Sequence, residues 1–369
     1  MEVLQSILQI LILSGCWRPP SWTSPFKKFL YAIYTMFLFL LLYSATFLEF
    51  LDLVLNVENQ DELSDNIHVL LTMFAACYKM YSMLTHHKNI AVLTNILKKK
   101  PFQPENEEEI QIRKACDKTA QQQAILYIIM VELTVIFNSG GGLLKDGEKL
   151  PYRMWLPYNY LPPALHIFIF LQQVASFVAA SIMHISCDCL IWGLLIHSCG
   201  QLEILGSRLK AIKQDDNLSA KKSARYHNQV YEFTKMINEE FKMVIFVQFG
   251  VSTLAVCFDL YVLITLKNTN LKIVMDVIYM VALLVQIFFY CWHGNELKLK
   301  SVEVSEMIFG SDWTELNKDT KRILSLIMRR ATRCIEFTSG HIVTMNLESF
   351  INLIKTSYSA YNVLHRGKG

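Results

Sequence analysis

Few side chains in this sequence are placed to do covalent chemistry. His184, Cys187 and Cys189 are close enough along the chain to suggest metal ligands. On a helix they spread over more than one face, whereas a zinc site needs convergent ligands. His86 and His87 have no companion ligand nearby. There is no phosphate-cradling loop, nucleophile elbow or paired-carboxylate arrangement. Gly140, Gly141 and Gly142 follow a helical stretch rather than open one, and so read as a flexible break. The expectation is no enzyme, no metal and no cofactor. The polar chemistry that does stand out is periodic. In NLESFINLIKTSYSAYNVL, residues 346–364, Glu348, Asn352, Lys355, Ser359 and Asn362 recur at steps of four and three. On a helix these share one drifting face, with Asn352, Thr356, Ser359 and Val363 as an overlapping stripe. Leu347, Ile351, Ile354, Tyr358 and Tyr361 make the apolar face. Polar groups facing lipid are costly, so this stripe must meet protein or water. Several copies around an axis could enclose water. Alternatively the helix is buried in its own bundle, its hydroxyls bonding carbonyls. Val363, apolar among hydroxyls, fits a dewetting constriction or ordinary packing. Lys355 argues against a simple cation conduit unless it sits where the conduit is wide.

The elements that must position this stripe follow from composition. The 369 residues are 53% hydrophobic and only 18% charged, with a mean hydropathy of +0.29. A soluble domain carries nearer a quarter charged residues. The apolar residues are clumped into seven expected spans, 28–50, 66–85, 122–144, 163–197, 241–266, 272–292 and 342–364, each near the ~20 residues that the hydrocarbon core demands. Strand alternation is absent, so the fold class is an all-α membrane protein. A formal charge of +3 with no basic stripe excludes a nucleic-acid partner. The first apolar run is too short to span, and Glu2 stands where a signal peptide wants a basic residue. It reads as a retained interfacial helix.

Alternate connecting segments hold 25 lysines and arginines on one side and seven on the other. The rich side should be cytoplasmic, placing the N-terminus inside and the C-terminus outside. No cysteine falls in an outer segment, so no structural disulfide is expected. The sole glycosylation sequon, Asn217-Leu218-Ser219, lands inside. Span four overshoots the bilayer and continues through CGQLEILGSRLKAI, and DTKRILSLIMRRATRCIEF carries Ile323, Leu326 and Ile327 at helical spacing. Cytosolic helical extensions should therefore form a packed inner layer.

Motifs spread along the chain resemble the insect odorant receptor family. TSYSAYNVL is similar to its closing signature, Thr338-Ser339-Gly340 to its break before the last span, and MNLESF to the start of that span. MIFGSDW, FYCWHGNEL, Asp188 with His197 and CGQL, and WRPP resemble further elements in the same order. The resemblance implies a ligand-gated, non-selective cation channel of four subunits around one pore lined by the last helix. It also implies a tuning subunit assembled with a shared co-receptor in a heterotetramer, because the co-receptor's long insertion between spans four and five is missing here. The expected location is the plasma membrane of a sensory neuron. On this reading residues 1–27 are a cytoplasmic interfacial segment, 28–197 hold spans one to four, and 198–240 are cytoplasmic extensions. Residues 241–292 hold spans five and six, 293–341 are cytoplasmic anchor helices, 342–364 line the pore and 365–369 form an extracellular tail. Val363 matches the family's hydrophobic gate, with Asn352, Thr356, Ser359 and Asn362 on the pore wall. Ala360 and Asn362 depart from the residues common at their positions. The open alternatives are a seven-helix chemoreceptor that signals through a soluble partner, and a homomeric gustatory-type channel.

The resemblance places the ligand among spans two, three, four and six, with span six joining the 28–197 region. Depth and helical face select Leu70, Met73, Phe74 and Cys77 on span two, and Leu133, Ile136, Phe137 and Gly140 on span three. They select Phe170, Gln173, Val174 and Phe177 on span four, and Tyr279, Met280 and Leu283 on span six. Such a wall suits a small, hydrophobic volatile held mostly by burial. Glu132 sits mid-span. It is either an anchor for an amine or alcohol, or a neutral or paired group with a neighbour such as Lys79. Asp259 and Asp276, near outer ends, are expected to be solvated.

Overall fold

The computed structural model describes residues 2–57, 60–144, 150–157, 162–214, 216–265, 270–340 and 342–366. Its helices are α1 (Glu2–Leu13), α2 (Pro25–Leu55), α3 (Gln60–Thr85), α4 (His87–Ile96), α5 (Glu107–Leu144), α6 (Pro163–Lys210), α7 (Asn217–Thr265), α8 (Asn270–Phe309), α9 (Lys318–Ala331) and α10 (Leu347–Arg366). Local chemistry sets their starts. Pro25 and Pro163 open α2 and α6, where a missing N–H costs nothing. The side chains of Asn106, Asp216, Asn317 and Asn346 accept from the backbone amides of Glu109, Ser219, Thr320 and Ser349 at 2.8–3.0 Å, capping α5, α7, α9 and α10.

Among the described residues, six helices are long and apolar enough to cross a membrane, namely α2, α3 and α5 to α8. The seventh expected span is α10. Its 20 residues reach about 30 Å at 1.5 Å each, but its polar face lowers its hydropathy. It begins at Leu347 rather than at 342. Residues 338–339 and 343–344 instead pair as a two-stranded hairpin, Thr338 opposite Thr344 and Ser339 opposite Val343. Gly340 turns it with φ +57, and a Cβ there would lie 2.8 Å from the Phe246 ring. A positive φ beside a fixed ring accounts for glycine at this break. The three glycines at 140–142 do not break α5, which stays helical to Leu144. Hydrocarbon offers the freed backbone groups no other partner.

Helix α6 is the central post, touching α1, α2, α3, α5, α7 and α8. From Met183 to Leu202 its side chains are buried on every face, polar ones such as His184, Asp188 and His197 included. Trp192 stacks edge-on against Tyr127, Phe289 and Tyr290 at 4.9, 5.0 and 5.6 Å. All nine cysteines are free.

The inner halves of α5 to α8 continue past the apolar windows and pack with α4 and α9 into one layer. In α9 the buried seam is Thr320, Leu324, Ile327 and Ala331. Leu326, expected on the apolar face, is 60% exposed. Arg208 on α6 clamps Glu109 on α5 with two bonds of 2.8 Å and also donates to the carbonyls of Pro101 and Gln103. Burial alone would raise the Glu109 carboxyl, but the Arg208 guanidinium and the Glu105 amide outweigh it and hold the group below its ordinary value. Removing one partner of a buried pair strands the other. Arg208→Ala should therefore destabilise the layer by about 3 kcal/mol, read as a drop in the thermal midpoint of the reconstituted protein. His227 gives the layer a pH dependence. Burial, then the Arg330 guanidinium, pulls its imidazole from 6.5 to about 4. Between those values the unfolded chain takes up a proton that the folded layer refuses, so stability falls as pH drops through this window. His227→Phe, which keeps a ring against Tyr231, should flatten that part of the stability–pH curve.

Candidate functional site

Asp188, at the middle of α6, is wholly buried. A carboxylate at this depth persists only if it is paired and fully bonded. Lys79 Nζ and the Tyr290 hydroxyl, each at 2.6 Å, donate to its Oδ1. The Tyr127 hydroxyl at 2.8 Å and Gln286 Nε2 at 2.5 Å donate to Oδ2. One side chain thus ties α3, α5 and α8 to α6. Lys79 Nζ also lies 2.8 Å from His184 Nδ1. An ammonium can only donate, so Nδ1 accepts and the ring proton sits on Nε2, facing the Thr72 carbonyl at 3.2 Å.

This cluster floors a cavity of about 50 Å³ between five helices. Thr72 and Ala75 of α3, Tyr127, Val131 and Thr134 of α5, and His184 of α6 form one side. Gln248 and Val251 of α7 and Tyr279, Ala282, Leu283 and Gln286 of α8 form the other. Tyr279 and Thr72 share a hydroxyl–hydroxyl bond of 2.5 Å, beside the His68 carbonyl.

Of the residues chosen from sequence, the cavity gathers Tyr279 and Leu283. Met280 is partly buried beside them. Leu70, Phe74 and Cys77 line a separate groove between α2 and α3 with Tyr43, Phe47 and Phe50, and Met73 lies in the main core. On α5, Leu133 and Ile136 point outward, exposed at 39% and 62%, while Phe137 is half-buried. Gly140 lies in α5, with its surroundings outside the described residues. On α6, Gln173 holds the 150–157 segment through Tyr152 and Met154. Phe177 meets the Tyr152 ring at 4.7 Å, and Phe170 and Val174 are partly buried nearby. The chosen faces of α3 and α5 were out of phase by a third of a turn or more. The costly polar residues at mid-membrane give the phase: Thr72 and Lys79 on α3, and Tyr127 and Thr134 on α5, with Ala75 and Val131 on the same faces.

Of the acidic groups, Glu132 finds a neighbour other than Lys79, and Asp259 differs from expectation. Glu132 does not meet Lys79, which is committed to Asp188; its Oε1 accepts from Ser181 at 3.1 Å. Asp259 is not solvated but only 3% exposed, beside Asp276.

Helix α10 packs through one narrow seam. Leu353, Ser357 and Tyr361 are buried, four apart, and Phe350 meets Phe288 at 5.6 Å. Ser357 Oγ donates to the Thr253 carbonyl of α7 at 3.0 Å. Tyr361 belongs to this seam, whereas Ile351, Ile354 and Tyr358, placed with it on the apolar face, are exposed. Asn352, Thr356 and Ser359 are exposed, Asn362 is half-exposed and Val363 is 70% exposed. At 100° per residue the polar face lies roughly 150° from the seam. Among the described residues nothing covers it, so burial in its own bundle does not account for the stripe.

Comparison with known proteins agrees with this architecture. Olfactory receptor OR5 of Machilis hrabei, in complex with eugenol, superposes with a TM-score of 0.90 over 98% of this chain and 97% of that one, at 17% identity. At that identity the likeness speaks for the fold. Odorant receptor Or1 of Anopheles gambiae is 24% identical over 97% of this chain and 94% of its own length. Odorant receptor 94a of Drosophila melanogaster is 22% identical over 97% and 96%. Odorant receptor 10 of Aedes albopictus is 27% identical, and that match spans 59% of this chain and 60% of the relative's length. The profile of the family described as 7tm Odorant receptor matches residues 59–358, which takes in α3 to α9, the hairpin, the Asp188 cluster and the buried seam of α10 through Ser357. The chain therefore belongs to the odorant receptor family.

Proposed function

We propose that this chain is the odorant-binding, tuning subunit of a ligand-gated, non-selective cation channel. The observation that carries the reading is the uncovered polar face of α10. A membrane helix that packs through Phe350, Leu353, Ser357 and Tyr361 leaves Asn352, Thr356, Ser359 and Val363 facing away from the described part of its own bundle. Lipid disfavours that face, and water in a pore shared by several subunits accommodates it. Ile351, Ile354 and Tyr358 then meet neighbouring subunits or lipid. Val363 is the gate, with Asn352, Thr356, Ser359 and Asn362 along the wall.

The partner is a co-receptor subunit in a heterotetramer. Supporting a tuning role, α6 ends at Lys210 and α7 begins at Asn217, leaving no room for a long insertion. The inner layer, 198–240 and 293–341, anchors the assembly. Leu299, Val302 and Phe309 of α8 are exposed there at 39–65%, a surface suited to a neighbour. The site of action is the plasma membrane of a sensory neuron.

The odorant enters the cavity above Asp188. At about 50 Å³ the cavity is well short of the roughly 150 Å³ that holds a benzene ring, so even a compact volatile enters by moving Tyr279 or Leu283 aside. Helix α7 couples the two sites, since Gln248 and Val251 line the cavity and the Thr253 carbonyl holds Ser357 of α10. The test is patch recording from cells that co-express this chain with a co-receptor. An odorant-evoked current that persists without G-protein activity is expected. Surface expression without such current would point to signalling through a soluble partner, and current from this chain alone to a homomeric channel.

A further inference from the structure

We propose that the cavity selects ligands that carry a hydrogen-bond donor, a small alcohol or phenol whose O–H is accepted by Gln248 Oε1. The inference rests on the cavity being the odorant site and adds the chemical class it takes.

The argument is a chain of forced orientations. Asp188, paired with Lys79 at 2.6 Å, is an ionised carboxylate and can only accept. Gln286 must therefore turn its Nε2 toward Asp188 Oδ2, because its amide oxygen would face another oxygen with no proton between them. That turns Gln286 Oε1 toward α7, where Gln248 Nε2 donates to it at 2.8 Å. The second N–H of Gln248 goes to Ser252 Oγ at 2.9 Å. A flip of Gln248 would set its amide oxygen against Gln286 Oε1 and lose that bond. Its Oε1 is left buried with no hydrogen-bond partner among the described residues, on a side chain only 1% exposed that lines the cavity.

The hydroxyl and imidazole donors of the wall are already committed. Tyr127 donates to Asp188. Thr72 and Tyr279 bond each other and the His68 carbonyl. The His184 ring proton goes to the Thr72 carbonyl. The cavity thus has an acceptor to spare. A ligand hydroxyl satisfies it once Tyr279 or Leu283 shifts to widen the cavity from its resting volume of about 50 Å³. An ether or fluoroarene of the same size excludes water and leaves the acceptor bare, which weakens binding by about tenfold or more.

The test uses the purified full-length chain in lipid nanodiscs and two size-matched probe pairs, phenol with fluorobenzene and 1-butanol with diethyl ether, titrated by ligand-dependent thermal shift. In the wild type, phenol and butanol should bind at least about tenfold tighter than their partners. Gln248→Leu should bring both ratios close to one by weakening the donors alone. Leu283→Trp, which fills the cavity, should abolish binding of all four. Ratios near one in the wild type, or no binding of phenol and butanol, would overturn the proposal without reference to any variant. If Leu283→Trp leaves all four affinities unchanged, the cavity itself is not the site, a failure distinct from loss of the donor preference.

Discussion

Lys79→Met should strip the receptor from the cell surface. The substitution keeps the length and apolar stem of the side chain, so it tests charge rather than packing. What it leaves is the Asp188 carboxylate, fully buried at mid-membrane with three neutral donors and no counter-charge. Breaking a buried pair from one side costs about 3–5 kcal/mol, a large part of a typical domain's net stability. The loss falls on the residue that joins α3, α5 and α8 to the central helix, so the bundle fails together. Asp188→Asn alone strands Lys79 against His184 and should be similarly damaging. The double variant Lys79→Met with Asp188→Asn buries no charge and keeps hydrogen-bonding partners for Tyr127 and Tyr290. It should recover most of the surface expression that either single variant loses. Surface biotinylation of the four forms checks this. Additive losses in the double variant would mean that the two residues act independently.

Val363→Ala should produce a standing current without odorant. The side chain is 70% exposed on the face of α10 that carries Asn352, Thr356 and Ser359. If copies of it meet at an axis, two methyl groups fewer on each widen and wet an apolar constriction whose closure depends on excluding water. The expected change is a several-fold rise in basal conductance with reduced odorant dependence, measured by whole-cell recording. Because Val363 is 70% exposed among the described residues, folding should be unaffected. Unchanged basal and evoked currents would remove Val363 from the gate.

How much of this was legible in the residues depends on which force set each feature. All seven spans are helices near their expected positions, because length and hydropathy follow directly from bilayer thickness. The polar face of α10 was equally plain, since it is a matter of spacing. What the spacing did not reveal was rotation. Leu133 and Ile136 share a face as surely as Tyr127, Val131 and Thr134 do, and lipid and protein interiors are both apolar, so hydrophobicity alone cannot say which face turns inward. The polar residues could have said so. Lys79, Asp188, Gln248 and Gln286 each incur a large cost if they face lipid, and aligning the helices on them recovers the cavity wall. The same cause explains Tyr361, taken for the outer apolar face of α10 but buried through its step of four from Ser357 and Leu353. The hairpin at 338–344 was hidden for another reason. It depends on Gly340 meeting Phe246 of a helix about a hundred residues away in sequence, a contact that no local pattern announces.

The central claim is that the polar side of α10 meets water in a passage shared between subunits. It is tested most directly by replacing Asn352, Ser359 and Val363 with cysteine, one at a time, and applying a charged, membrane-impermeant thiol reagent from outside during recording. The background is favourable, since seven of the nine native cysteines are buried and the partly exposed pair, Cys116 and Cys334, belongs to the inner layer. The account predicts that all three react and alter the current, that Asn352 and Ser359 react faster when odorant is present, and that cysteine at Ile354, on the flanking apolar face, stays inert. If the three positions were silent with and without odorant, or if the position at 354 reacted as readily as they do, α10 would not line the pore.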